Sequence, residues 1–304
     1  MKQKSMTALV SAFSRVYHSN NNKVKIFDDT VAQKLLADTE YEQISKNMAE
    51  GIGFFNPSFS GTDSEALRWV VDNQLSPSPL ARAVFAEKSL CNAVRIGARQ
   101  YIILGAGYDT FAYRQPDWAK NIQIFELDHP MTALDKKNRL LNSGIQIPDN
   151  VSFVDADFSK NMWQNNLQNN SKFNSEKISF CSLLGVTYYI SADDFKNIVI
   201  ALNNMLPQGS SLVFDYPDEL SYSSRAGMRA QKQALLAGGA NEKMCACYSY
   251  SELEKLLSDC GFLIYEHLNP WQITQQYFAE YNTANPTHPI TAFDNVNYCL
   301  AVKK

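Results

Sequence analysis

The 304-residue chain has no large excess of charge of either sign: 28 lysines and arginines stand against 31 aspartates and glutamates, a formal net charge of −3. That balance offers no electrostatic footprint for nucleic acid. No apolar run is long enough for a membrane span, and Met1 to Asn20 lacks the apolar stretch of a signal peptide, so a soluble, cytoplasmic chain is expected. Six cysteines, Cys91, Cys181, Cys245, Cys247, Cys260 and Cys299, are scattered mostly through expected core elements rather than set in a framework, which fits reduced thiols. Cys245-Ala246-Cys247 has neither a second pair nor a spaced histidine pair, so it reads as an ordinary loop and no metal site is expected. His18, His267 and His288 likewise have no spaced companions. Internal repeats and low-complexity tracts are absent. What the chain does have is 45% hydrophobic residues, enough to bury a large core in one elaborated domain.

The most informative stretch begins at Tyr101. Tyr101 to Leu104 is a short apolar run suited to a parallel strand covered on both faces, and it leads into Gly105-Ala106-Gly107-Tyr108-Asp109-Thr110. Gly105 and Gly107 let the backbone turn sharply and approach a ligand closely. A dinucleotide loop would set its pyrophosphate on the following helix N-terminus, where the Asp109 carboxylate repels it. Thr110 also replaces the third glycine of G-x-G-x-x-G, so an NAD oxidoreductase is disfavoured. A ligand with a positive end suits the loop better. S-adenosylmethionine, with an ammonium, a sulfonium, a ribose and no phosphate, is such a ligand.

About twenty residues further on, the usual distance to a ribose-binding acid, Ile122 to Leu127 reads as a second strand, followed by Asp128-His129-Pro130. Glu126 and Asp128 share a strand face, and Asp128, nearer the tip, is the better ribose ligand. The bland alternative is that Asp128 caps the helix opening at Pro130.

Strand and helix patterns then alternate. Val151 to Phe158, Ile178 to Leu184, Ser211 to Tyr216, Phe262 to Leu268 and Tyr298 to Val302 read as strands. Met131 to Leu141, Asp193 to Met205 and Ser251 to Cys260 read as helices, the last opened by a Ser251/Glu254 capping box and stopped by Gly261. This alternation predicts an α/β fold with a mostly parallel sheet wrapped by helices. Residues 1–98 read as a helical N-terminal lid, broken at Gly51 to Ser60 and again at Ser76-Pro77-Ser78-Pro79. Residues 99–304 form the core integrated with it. Leu80 to Val94 is a helical run in which Arg82 is either a solvated arginine or a ligand for an anion.

The run Leu104 to Arg114, followed by Phe125-Glu126-Leu127-Asp128-His129-Pro130, closely resembles the leucine carboxyl methyltransferase family, nearest to its bacterial O-methyltransferase branch, some of it linked to polyketide biosynthesis. Ser78-Pro79-Leu80-Ala81-Arg82, Leu184-Gly185-Val186-Thr187-Tyr188-Tyr189-Ile190 and Gln275-Gln276-Tyr277-Phe278 extend the resemblance over Ser76 to Phe278. It implies a Rossmann-like class I methyltransferase with a seven-stranded sheet. The cofactor would be S-adenosylmethionine and the product S-adenosylhomocysteine. By the same resemblance Arg82 holds the methionine carboxylate. Gly105, Ala106 and Gly107 form the glycine loop, with Asp109 beside the methionine amine. Asp128 takes the ribose, and Asp157 with Phe158 takes the adenine amine and ring. Protein-methylating relatives often carry glutamate where this chain has Leu184.

Methyl transfer from a sulfonium is an in-line displacement, so alignment and exclusion of water dominate. A carboxylate acceptor needs no general base; a hydroxyl does. Tyr188, Tyr189, Asp215 and Tyr216 lie at strand ends where acceptor chemistry belongs, and Tyr189 is the candidate because the resemblance includes it, against the alternative of a packed tyrosine. Arg225 and Arg229 read as a solvated helix face or as ligands of an acidic acceptor, and Arg114 as a ligand contact or an internal partner of Glu126. His129 reads as a local hydrogen-bond partner or an adenosine contact. The expected reaction is O-methylation of a small-molecule hydroxyl or carboxylate. The alternatives are methylation of a protein C-terminal carboxylate, or cofactor binding without catalysis, which Leu184 keeps open.

Overall fold

The computed structural model describes residues 5–160, 162–239 and 244–304. Its strands are β1 Gln100–Leu104, β2 Gln123–Asp128, β3 Val151–Asp155, β4 Ser179–Leu183, β5 Ser211–Pro217, β6 Phe262–Leu268 and β7 Val296–Lys303. They form one seven-stranded sheet in the order β3-β2-β1-β4-β5-β7-β6. β1 to β5 pair in parallel, and β7 lies antiparallel between β5 and β6. This is the mostly parallel sheet that the strand-helix alternation predicts, in the seven-stranded, Rossmann-like form that the resemblance implies. The chain winds outward from β1 to β3, then crosses back to β4 beside β1. A crevice therefore opens at the carboxyl ends of β1 and β4, the place where such sheets hold ligands.

Side chains alternate across the sheet as strand geometry requires. Tyr101 and Ile103 join Phe85, Leu90 and Phe180 on one face, while Ile102 and Leu104 join Phe125, Leu183 and Phe195 on the other. Each buried leucine or isoleucine contributes about 1.5–3 kcal/mol, which is why β1 reads as a continuous apolar run. Leu104 stands opposite Leu127, so the glycine turn after β1 is level with the acid at the tip of β2. A third cluster, built on Phe13, Val16, Val70 and Val71 of the N-terminal segment, includes Tyr108 of that turn. The N-terminal helices Met6–Asn21, Asp38–Glu50 and Asp63–Val70 are thus packed onto the loop.

Local readings needed correction in three places. Ser76 to Pro79 is no break: a π-turn at Val71–Leu75 leads straight into the helix Pro77–Arg95. Pro77 at the first helical position needs no N–H partner, so proline here starts a helix rather than ending one. The capping box of the helix Tyr250–Asp259 is Ser249/Glu252, two residues earlier than expected, although Gly261, at φ +86°, does follow its end. β3 ends at Asp155; Ala156 N–H still reaches Asp128 O at 2.8 Å, after which Asp157 to Lys160 turn away.

Candidate active site

A cavity of about 830 Å³ opens at the crevice. Arg82, Gly105, Ala106, Gly107, Asp109, Asp128, Asp157, Phe158, Leu184 and Tyr189 all line it. Residues far apart in sequence thus surround one space.

The glycine turn depends on missing side chains. Gly105 and Gly107 have φ of +72° and +44°, where a Cβ is strained. A Cβ on Gly105 would also collide with Val186 at 2.5 Å. Gly105 and Ala106 N–H groups donate to Leu127 O at 2.8 and 3.0 Å, fastening the turn to β2.

Asp128 completes the fastening. Gly107 N–H donates to its Oδ2 and His129 N–H to its Oδ1, each at 2.6 Å. Burial pushes its carboxyl upward, opposed by those two backbone donors. The Thr132 hydroxyl bonds the carboxylate as well; with two lone pairs on each oxygen, acceptor capacity is left for a hydroxyl donor from the cavity. The side chain capping the Pro130–Asn142 helix is His129, whose Nδ1 accepts from Met131 N–H at 3.3 Å, and not Asp128. His129 is thereby a local hydrogen-bond partner at the cavity edge.

Arg82 lies flat over bare Gly185, where a Cβ would overlap the guanidinium. Its Nη1 is 3.1 Å from Asp215 Oδ2. Asp215, fully buried, also accepts from Gly185 N–H at 2.6 Å and from Tyr188 O–H at 3.0 Å. Arg82 is therefore an oriented, partly exposed guanidinium at the cavity wall rather than a solvated helix arginine. Burial drives the Tyr188 phenol well above its ordinary range, which suits its role as a donor to Asp215.

Asp109 Oδ1 accepts from Phe111 N–H at 2.8 Å. Around it sit Glu87 and Arg114, joined by a bidentate pair, and Asp29, which takes Arg15 Nε at 2.8 Å and Thr110 Oγ1 at 2.7 Å. Three carboxylates thus face two guanidinium groups, a balance that favours a cationic ligand. Asp157 is held near pKa 2 by hydrogen bonds from Ser159 and Lys160, so it is an ionised acceptor beside Phe158. Leu184, following β4, contributes an apolar wall packed on the core.

Several expectations fail. Arg114 pairs with Glu87 and not with Glu126, which is taken by Lys136 at 2.8 Å and Tyr113 O–H at 2.9 Å. Arg225 precedes the helix Met228–Gly239 instead of sharing a face with Arg229. Arg229 is consumed by Asn73, Thr291 and Ala292 backbone oxygens. Tyr216 bonds His267 at 2.8 Å, and neither it nor Asp215 is among the lining residues. Sequence reasoning missed Asp29, Glu87 and the role of Gly185. Only a glycine next to the β4 end hinted at the last.

A leucine carboxyl methyltransferase family profile matches residues 8–202. The chain is 40% identical over 307 residues, covering 99% of both chains, to a Bacillus subtilis (strain 168) protein named "Putative S-adenosyl-L-methionine-dependent methyltransferase YktD". Among solved structures, its fold is similar to a DUF574 family protein from Streptomyces avermitilis MA-4680, with TM-score 0.61, 13% identity and 97% of each chain covered. It is also similar to a "putative methyltransferase" from Thermobifida fusca YX, with TM-score 0.55 and 14% identity over 99% of this chain and 96% of that one. At that identity the two structures speak for the fold alone, whereas the profile and the Bacillus relative settle descent: the chain belongs to the leucine carboxyl methyltransferase family.

Proposed function

We propose that this methyltransferase transfers the methyl group of S-adenosylmethionine to an oxygen of a small-molecule acceptor. S-adenosylmethionine is the cofactor, in keeping with the family and the Bacillus relative. The observation that carries the site assignment is that the glycine turn, Asp128, Arg82 and Asp109 border one cavity. Arg82 would hold the methionine carboxylate, Asp109 would face the ammonium, Asp128 would accept both ribose hydroxyls, and Asp157 with Phe158 would receive the adenine edge and ring. When bound, the cofactor supplies an electrophilic methyl on sulfur.

The chain's own task is alignment. Asp128 is fixed by two backbone donors and Arg82 by Asp215, so little ordering is left for the moment of reaction. The Met6–Asn21 helix lies over the site, Ala8 close to Gly107, which excludes water. Leu184 and Tyr189 form the wall beside the β4 end. A carboxylate acceptor would need no proton removed, whereas a hydroxyl acceptor would need a base for its proton.

Calorimetric titration with S-adenosylhomocysteine, with NADH as the comparison, tests the cofactor. One-to-one micromolar binding of the former alone is expected; failure of folded protein to bind it would overturn the reading. Transfer of label from S-adenosylmethionine to small acceptors, and not to a phosphatase-like C-terminal peptide, is expected for the acceptor class.

A further inference from the structure

We propose that Gln74 reads the acceptor, and that the acceptor is an uncharged, largely apolar hydroxy compound. This deepens the preceding reading and rests on it, since it takes Arg82 to mark the cofactor's methionine end. Gln74 sits in the π-turn Val71–Leu75. Wide turns of this kind concentrate at functional positions, and the sequence explains this one: Pro77 and Pro79 supply no N–H to the carbonyls of the preceding turn. Two of those carbonyls are taken up by the helix Met228–Gly239. Arg229 Nε donates to Asn73 O at 3.0 Å, and the Gln233 amide donates to Gln74 O. The Gln74 backbone is thereby pinned.

Its side chain is not satisfied. Gln74 is 1% exposed and borders the cavity, and its buried Oε1 has no hydrogen-bond partner. An orphaned carbonyl oxygen is costly in a folded protein, and a hydroxyl donor on a bound molecule would relieve it. Ser78 and Arg82 follow at steps of four and border the same cavity, so one helix face carries a polar stripe. Eight residues of helix separate its ends by about 12 Å, which places Gln74 beyond the reach of a methionine carboxylate held at Arg82.

Around the stripe the wall is apolar, with Met6, Val10, Met48, Leu236 and Met244. Methionine thioethers adapt their shape to flat or irregular apolar ligands. The arginines that border the cavity already face carboxylates: Arg15 faces Asp29, Arg82 faces Asp215 and Arg114 faces Glu87. With Arg82 given to the methionine carboxylate, and Arg15 and Arg114 turned to Asp29 and Glu87, an anionic acceptor, whether a free acid or a peptide C-terminus, finds no further arginine among the described residues of the wall. A neutral hydroxy compound finds apolar contact and one waiting acceptor atom, the usual recipe of a specific pocket.

The test uses protein saturated with S-adenosylhomocysteine and titrated with 2-naphthol, with 6-hydroxy-2-naphthoate, and with a leucine-terminated hexapeptide. 2-Naphthol is expected to bind at least ~10-fold more tightly than either anion. Gln74→Leu should weaken 2-naphthol ~10-fold, a single lost hydrogen bond, with S-adenosylhomocysteine affinity unchanged. Gln74→Asn, which keeps the amide but withdraws it, covers the case in which the leucine variant fails to fold, and should show a loss of the same sign. Unchanged 2-naphthol affinity in the variants overturns the role of Gln74. Tighter or equal binding of naphthoate or peptide, or no binding of 2-naphthol to the saturated protein, overturns the acceptor class. Failure to bind S-adenosylhomocysteine at all is a different result and falls on the cofactor reading.

Discussion

Replacing Gly185 by alanine should separate the amino-acid end of the cofactor from its nucleoside end. The residue has φ +68° and supports the Arg82 guanidinium directly, so an added methyl acts twice. A left-handed backbone costs a non-glycine residue about 1–2 kcal/mol, a loss of stability. The guanidinium must also lift from its place, where it now lies 3.1 Å from Asp215. If Arg82 binds the methionine carboxylate by charge-assisted hydrogen bonds, losing them costs about 1.5–3 kcal/mol. That is a roughly ten- to hundredfold weaker S-adenosylhomocysteine affinity. 5′-Methylthioadenosine lacks the amino-acid end, so its affinity should stay within about twofold, well under 1 kcal/mol. Calorimetry with both ligands on the folded variant is the assay. Equal weakening of both would mean that the substitution deforms the whole crevice, and a weakening of neither would remove Arg82 from the cofactor site.

Asp128→Ala should weaken S-adenosylhomocysteine by about 2–3 kcal/mol, two hydrogen bonds to a charged group, and unchanged affinity in folded protein would sink the ribose assignment. Asp29→Ala leaves the buried Arg15 and its neighbour Arg114 short of a partner; breaking such a pair costs about 3–5 kcal/mol, readable as a lower urea midpoint, and an unshifted midpoint would deny that the pair anchors the N-terminal segment. A fourth expectation concerns pH. Burial, helped by Arg68, lowers His18 from 6.5 to about 4, while burial raises Asp72 from 3.8 to about 6. His18 therefore contributes stability above pH 6.5 that is lost as pH falls toward 4, and Asp72 contributes stability below pH 3.8 that is lost as pH rises through 6, each about 3 kcal/mol. The two nearly cancel in the wild type. Urea unfolding at pH 7 and pH 5 should show Asp72→Asn less stable at the lower pH and His18→Gln more stable there; parallel behaviour of the two variants would refute the compensation.

The part of the cavity wall formed by the glycine turn and Asp128 was readable from sequence because its signals are local. An apolar run into Gly105 and Gly107, and an acid at the next strand tip, are demands of backbone geometry made within a few residues. The strand-helix alternation that implied the sheet is local in the same sense. What escaped was everything set by topology. Asp29 meets Thr110 across 81 residues and Arg82 meets Asp215 across 133, pairings that no spacing rule anticipates. An internal pair of Arg114 with Glu126 is one alternative that the sequence leaves open, yet Lys136 on the next helix occupies that acid and Arg114 turns to Glu87. The prolines at 77 and 79 misled for a physical reason: the same missing N–H that stops one helix suits the first turn of another.

The position of β7 has a consequence for the making of the protein. β6 pairs only with β7, and β7 is inserted between β6 and β5. During synthesis β6 emerges with no neighbour to join, while the open edge of β5 waits for a strand that is encoded last of the seven. A ribosome that stalls before Val296 therefore forfeits two strands, not one, and releases a chain with bare edges of the kind that recruit other chains into aggregates. The last strand of the sheet to be made thus closes two edges at once, far in sequence from the glycine turn.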